Sequence, residues 1–147
     1  MTESSPVASA PTLLAMVMCE QLIRDPETGR FYLMGTQTQT FARGYPARLP
    51  RMCMYAVLTG IRGTTELELR LVRPDSVEGD DVEVMTARGR VSANDPLVDA
   101  ELALMLRNLV LPQPGEYRFQ LWAGTELLGE RKFMVRETPG NPPSPDA

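Results

Sequence analysis

The sequence predicts an all-β protein, an antiparallel β-sandwich of seven or eight strands. Apolar and polar residues alternate with a period of two in several segments, most regularly from Thr64 to Val72. Clusters of Gly, Pro and Asp separate these segments and predict turns. The chain has 147 residues, which suits one domain with its own hydrophobic core.

The clearest hairpin is predicted between Val110 and Glu137. Residues 112–115, Pro-Gln-Pro-Gly, cannot continue a strand and predict a turn. The strand after this turn has one apolar face, formed by Tyr117, Phe119, Leu121 and Ala123. Residues 124–126 turn the chain again, and the returning strand places Phe133 and Val135 on its apolar face. An isolated hairpin is marginal in water, so the rest of the chain must supply a facing sheet.

The remaining strands are predicted in chain order at 13–23, 31–35, 51–59, 64–72 and 82–91. A short edge strand is predicted at 36–41, within the long connection that ends near Leu49. The segment 97–111 contains the helix-forming residues Ala, Leu and Glu, but its apolar residues also alternate. We interpret it as a strand, because its neighbours are strands and a sandwich needs it, with a helix as the alternative.

Composition sets the limits of the domain and of its chemistry. Residues 1–12 and 138–147 are polar and contain Pro, which predicts a disordered leader and tail around a domain at 13–137. The net charge of −4 argues against a nucleic-acid binder. The absence of His excludes the Ser-His-Asp and Cys-His nucleophile arrangements and every metal site that contains His. No segment is apolar over the length of a membrane span, and the cytoplasm is the predicted compartment.

Two cysteines, Cys19 and Cys53, are too few for an all-Cys zinc site in one chain and sparse for a disulfide-rich domain. We predict that both are buried thiols.

The motif from Pro114 to Phe119 is similar to the Pro-Gly-x-Tyr start of a late strand in immunoglobulin-like sandwiches, where the tyrosine bonds back to the main chain. Tyr117 is therefore predicted to have a structural role, and the sandwich to be immunoglobulin-like.

One acidic turn could carry chemistry. Five carboxylates occur at 75–83, namely Asp75, Glu78, Asp80, Asp81 and Glu83. Loop carboxylates can bind calcium, although their spacing does not match an EF-hand. Paired carboxylates such as Asp80 and Glu83 could also act as a general acid and base in a hydrolase. A solvated loop explains the same residues without a function.

A second segment, Thr28 to Thr65, contains five arginines and no acidic residue. Arginine beside aromatic side chains is enriched in protein interfaces. Trp122 lies on the polar face of its strand, where it is either an exposed interface anchor or covered by another part of the chain. The partner-binding residues that we predict are Thr38, Phe41, Arg43, Tyr45, Arg48 and Trp122. Recognition is expected in the Thr36-to-Arg51 region, through a homodimer or through an added strand of a partner.

Several of these features occur in a fixed order. They are Cys19-Glu20-Gln21, the turn at 25–29, the crossover Tyr45-Pro46-Ala47-Arg48-Leu49-Pro50, and the hairpin from Pro114 to Arg131. Together they resemble a bacterial family of small proteins known only as a domain of unknown function, over about residues 13 to 137. The resemblance implies the fold and transfers no catalytic or binding residue.

The sequence thus predicts a non-catalytic module that binds a protein partner or assembles with itself. The alternative is a carboxylate-dependent hydrolase or a calcium-binding module that uses the acidic turn at 75–83. No cofactor is predicted. A nucleic-acid partner and a membrane partner are not expected.

Overall fold

The computed structural model describes residues 10–74 and 79–139, which form two β-sheets packed face to face. Nine strands follow one another in this part of the chain: β1 (Thr12–Arg24), β2 (Phe31–Thr36), β3 (Gln39–Ala42), β4 (Ala47–Thr59), β5 (Gly63–Pro74), β6 (Asp81–Ala93), β7 (Ala100–Leu111), β8 (Gly115–Ala123) and β9 (Glu126–Glu137). The described residues contain no helix, and hence none long and apolar enough to cross a membrane.

The two sheets differ in size. The four-stranded sheet has the order β2-β1-β4-β7, and the five-stranded sheet has the order β3-β9-β8-β5-β6. Neighbouring strands are antiparallel, except that β3 runs parallel to β9. The predicted all-β sandwich is confirmed, with two corrections. The described residues form nine strands rather than seven or eight, and the β3–β9 pair is parallel rather than antiparallel.

The core lies between the sheets, where the period of two predicted it. On β5, Leu67, Leu69 and Leu71 are at most 1% exposed, whereas Glu66 is exposed. On β8 and β9, the rings of Phe119 and Phe133 meet edge to face, with their centroids 5.5 Å apart. Aromatic rings in this arrangement attract each other in addition to the benefit of burial. The alternation therefore identified the inner face of these strands.

The ambiguous segment 97–111 is a strand over Ala100–Leu111. It pairs with β4 along nearly its whole length, and Leu102 and Leu106 enter the core on alternate positions. Local composition favours a helix here, but the β4 ladder and the core fix a period of two, since tertiary contacts override weak helix propensity.

Tyr117 stabilises the turn that leads into β8. Its hydroxyl donates a hydrogen bond of 2.6 Å to the carbonyl oxygen of Gln113 and accepts one of 3.2 Å from the Gln113 amide. The residue is 1% exposed, so these bonds satisfy a buried hydroxyl. This arrangement is the tyrosine corner of immunoglobulin-like sandwiches, and the sandwich is of that kind.

The two cysteines lie directly opposite each other on β1 and β4. Both are buried free thiols, as predicted. Burial raises the pKa of Cys19 above that of an ordinary thiol, and the nearby Cys53 adds to the effect.

Candidate functional site

The two edges of the sandwich are built differently. On one side, β6 and β7 lie against each other, and a Cβ added to Gly89 would come within 2.9 Å of side-chain atoms of Leu102 and Leu104. On the other side, β1 approaches β9 at one end only. A Cβ added to Gly129 would lie 2.6 Å from a methyl carbon of Leu13. Next to that contact a groove lies between the two strands.

We call this groove the seam groove. One part of it, of about 320 Å³, is lined by residues 13–17 of β1 and 128–131 of β9. A second part, of about 410 Å³, is lined by Val17, Met18, Thr36, Gln37, Thr38, Arg131 and Lys132. Both parts share Val17 and Arg131, so they form one continuous depression between the sheets.

Neither sheet has a complete edge at the seam groove. β2 pairs with β1 only from Cys19 onward, and β3 pairs with β9 only from Met134 onward. Among the described residues, no strand therefore pairs with the groove side of residues 12–17 of β1 or 127–132 of β9. Each strand presents half of an unpaired edge, and the two half-edges face each other across the groove.

Hydrogen bonds show which main-chain groups face the seam groove. The Met134 amide donates to the carbonyl oxygen of Thr38 at 3.1 Å, and the Gln37 amide donates to the carbonyl oxygen of Met18 at 2.8 Å. N–H and C=O groups of every second residue in a strand point to the same side. The main-chain groups of Glu130 and Lys132 on β9, and of Met16 on β1, therefore face the groove.

Charge is unevenly distributed in the seam groove. The carboxylate of Glu130 turns to the outer face of the five-stranded sheet, where it accepts from Gln120 at 3.1 Å and lies 3.8 Å from Arg118. The Lys132 ammonium lies 3.5 Å from Glu116 on the same face. Arg131 is exposed, and within the described ranges it makes no salt bridge. The groove is apolar on the β1 side and positive on the β9 side.

The structure places Thr38 in the seam groove. Phe41 lies next to it on the edge strand β3, where it is 53% exposed, and Arg43 is exposed in the following turn. Tyr45 is half-buried and packs against the core, and its hydroxyl is buried without a hydrogen-bond partner among the described residues. Arg48 is exposed on β4, which belongs to the other sheet.

Trp122 lies far from Phe41. The two residues are near opposite ends of the β8–β9 hairpin, because Phe41 is level with Arg136 and Trp122 with Leu127. Nine residues of β9 separate those levels, which is about 30 Å at 3.3 Å per residue. The six predicted residues therefore do not form one surface.

The side chains around Trp122 decide between an exposed anchor and a covered ring. The Arg70 guanidinium lies over the ring, 4.5 Å from its centroid, and the indole N–H donates to the Gln120 side chain at 3.1 Å. The ring is half-buried by its own neighbours on the outer face of the sheet. Such a cation–π contact stabilises the ring where it lies.

The acidic turn is only partly described. Asp75 and Glu78 lie outside the described residues, and Asp80, Asp81 and Glu83 are exposed. In the part of the chain that the structure describes, no three Cys, Asp or Glu side chains are close enough to hold a metal ion.

Sequence reasoning missed the seam groove because its lining comes from segments that lie far apart in the sequence. It arises where β2 and β3 fall short of covering their neighbours, and this depends on strand register. The one local signal is Arg131. It occupies the same face of β9 as Phe133 and Val135, and so interrupts the apolar alternation.

A solved structure and a protein family are similar to the chain. An immunoglobulin-like protein from Pseudomonas aeruginosa has a crystal structure that matches with a TM-score of 0.49 and 17% sequence identity, over 88% of this chain and 99% of that one. No curated protein matches the chain. Residues 14–136 match the family of unknown function DUF6941, and the chain belongs to that family.

Proposed function

We propose that the protein is a non-catalytic binding module that captures an extended segment of another protein in the seam groove. The observation that supports this is the pair of half-edges with main-chain groups turned to the same groove. Unpaired strand edges are either protected or used for pairing. Adding a strand to an exposed edge is a common way for a domain to bind a peptide.

The dimensions of the seam groove suit a short strand. The stretch of β9 that lines it, residues 128–132, is about 15 Å long at about 3.3 Å per residue. A captured strand would lie in line with β3 and extend the five-stranded sheet beside β9. Its main chain would bond to the N–H and C=O groups of Glu130 and Lys132. Each such bond contributes about 0.5–1.5 kcal/mol, so side-chain contacts in the groove must supply the rest of the affinity.

The test separates main-chain from side-chain recognition at one position. Lys132→Pro removes an N–H that faces the groove and leaves the β8–β9 ladder intact, because that ladder uses the alternate residues. Lys132→Ala keeps the N–H and removes the same side chain. Peptides selected on the parent protein from a random library are then measured against both variants by calorimetry.

We expect Lys132→Pro to weaken the selected peptides at least about tenfold, which is about 1.4 kcal/mol. Lys132→Ala should cost less than about fivefold, because an exposed charge contributes up to about 1 kcal/mol. Both variants should keep the urea midpoint of the parent. Equal binding by the two variants, or a library that yields no binder, would contradict the proposal. A parent dimer that Lys132→Pro dissociates would identify the occupant as a second copy of the chain.

A further inference from the structure

Arg131 occupies a position where the fold would otherwise place an apolar side chain. Phe133 and Val135, the next two residues on the same face of β9, are at most 1% exposed. Arg131 continues that face but is exposed. It lines both parts of the seam groove. Arg131 therefore lies beside the unpaired edge of β9, in the lining of the groove.

No acidic side chain of the described residues makes a salt bridge with Arg131. Glu130, the one acidic residue in the lining, pairs on the outer face of the sheet. The lining from β1 and from residues 36–38 carries no charge. A guanidinium has five donors in a fixed fork that matches a carboxylate. A carboxylate on a bound segment would therefore be a suitable partner for Arg131.

An inward-facing charge on an edge strand also protects it, since it opposes the addition of an apolar strand. Protection and selection are compatible, because a site can reject one partner and accept another through the same charge. Leu14 is 53% exposed in the same groove and offers an apolar contact on the facing strand. A strand that suits both would carry a carboxylate toward Arg131 and an apolar residue toward Leu14.

We infer that the segment captured in the seam groove is acidic, with an Asp or Glu that pairs with Arg131 and an apolar residue that covers Leu14. This inference rests on the proposed strand capture. It goes further in naming the chemical class of the partner and the residue that selects it.

The test uses two synthetic peptides of about nine residues, a usual strand length, built from Val and Thr. They are identical except for a central Glu or a central Lys. The proteins are the parent, Arg131→Glu, Arg131→Ala and the control Arg136→Glu. Arg136 is exposed on the same strand beyond the groove, where β3 already covers the edge.

We expect the parent to bind the Glu peptide at least about tenfold more tightly than the Lys peptide, because Arg131 attracts the Glu carboxylate and repels the Lys ammonium. Arg131→Glu should reverse that preference, and Arg136→Glu should keep it. The inference is overturned if Arg131→Glu keeps the preference for Glu. It is also overturned if Arg131→Ala binds both peptides more tightly than the parent does. Arg131 would then only oppose the addition of a strand and would not select an acidic one.

The two proposals fail in different ways. If Lys132→Pro abolishes peptide binding while Arg131→Glu leaves the charge preference unchanged, strand capture stands and the acidic partner is wrong. If Lys132→Pro binds both peptides as the parent does, strand capture itself is wrong.

Discussion

The main-chain N–H of Met134 donates to the carbonyl oxygen of Thr38 at 3.1 Å, and this is where β3 begins to cover the edge of β9. On the β3 side of that point this edge of β9 has a partner strand; on the other side, back toward Glu126, no strand of the described residues pairs with it, although β8 pairs with the opposite edge of β9. This hydrogen bond therefore marks the point on β9 where the paired part of the edge ends and the unpaired part begins. The seam groove exists because β3 is too short to pair with the rest of this edge of β9.

The tyrosine corner should stabilise the fold measurably. Tyr117→Phe removes both hydrogen bonds to Gln113 and leaves the ring in the core. We expect the free energy of unfolding to fall by about 1–2 kcal/mol in urea denaturation. Tyr32→Phe is the control, since Tyr32 is 51% exposed, and it should change stability by less than about 0.5 kcal/mol. Equal effects of the two changes would remove the structural role given to Tyr117.

The side of the sandwich where β6 and β7 lie against each other should not accept a larger side chain at Gly89. A Cβ there already comes within 2.9 Å of Leu102 and Leu104, so Gly89→Val must displace the β7 side chains. We expect a loss of about 1–3 kcal/mol by thermal or urea unfolding, despite the better strand propensity of Val. Gly44→Val has nothing within 4 Å of its Cβ and should be nearly neutral. A neutral Gly89→Val would show that β6 and β7 are not packed as described.

Tyr55 should make stability depend on pH in the alkaline range. Burial, followed by its hydrogen bond to the Glu101 carboxylate and the charge of that carboxylate, raises the pKa of Tyr55 from 10.0 to about 12. The folded state thus holds the phenol proton more tightly than the unfolded state does. The resulting stability is fully present below pH 10 and is lost as the pH rises toward 12.

The measurement is urea denaturation at several pH values from 8 to about 11.5. The free energy of unfolding should fall more steeply above pH 10 in the parent than in Tyr55→Phe. Parallel pH profiles for the two proteins would contradict the raised pKa.

The thiols should be unreactive in the folded protein. Burial raises the pKa of Cys19, and the thiolate is the reactive form. A thiol reagent should therefore label the native protein slowly and label two thiols in the denatured, non-reduced protein. Cys19→Ser should destabilise the fold more than Cys19→Ala, because it brings a hydroxyl into a dry site. Rapid native labelling, or no free thiol after denaturation, would refute this.

Much of the sandwich could be predicted from the sequence, because local pattern and burial agree. The alternation of Leu67, Leu69 and Leu71 identified the core face of β5, and the motif ending in Phe119 identified the tyrosine corner. An edge strand was expected at 36–41, and β3 is an edge. β3 lies at Gln39–Ala42, slightly later than predicted, and its parallel pairing with β9 has no local signal.

The candidate site was less predictable, because it depends on register between distant segments. Thr38 was expected in an interface and lines the seam groove, but its neighbours there come from β1 and β9. The sequence left Trp122 as either an exposed anchor or a covered ring, and contacts with Arg70 and Gln120 leave it half-buried on the outer face of the sheet. Where a strand stops being covered is a property of the whole sheet, so no short window of sequence could show it.

Amide hydrogen exchange tests the strand-capture proposal most directly, with a peptide selected on the parent protein. In the free protein, the amides of Glu130 and Lys132 should exchange quickly, and that of Arg131 slowly, because it faces β8. Saturation with the peptide should slow exchange at Glu130 and Lys132 and leave Arg131 unchanged. Unchanged exchange at both positions, or protection confined to the edges of β6 and β7, would contradict strand capture at the seam groove.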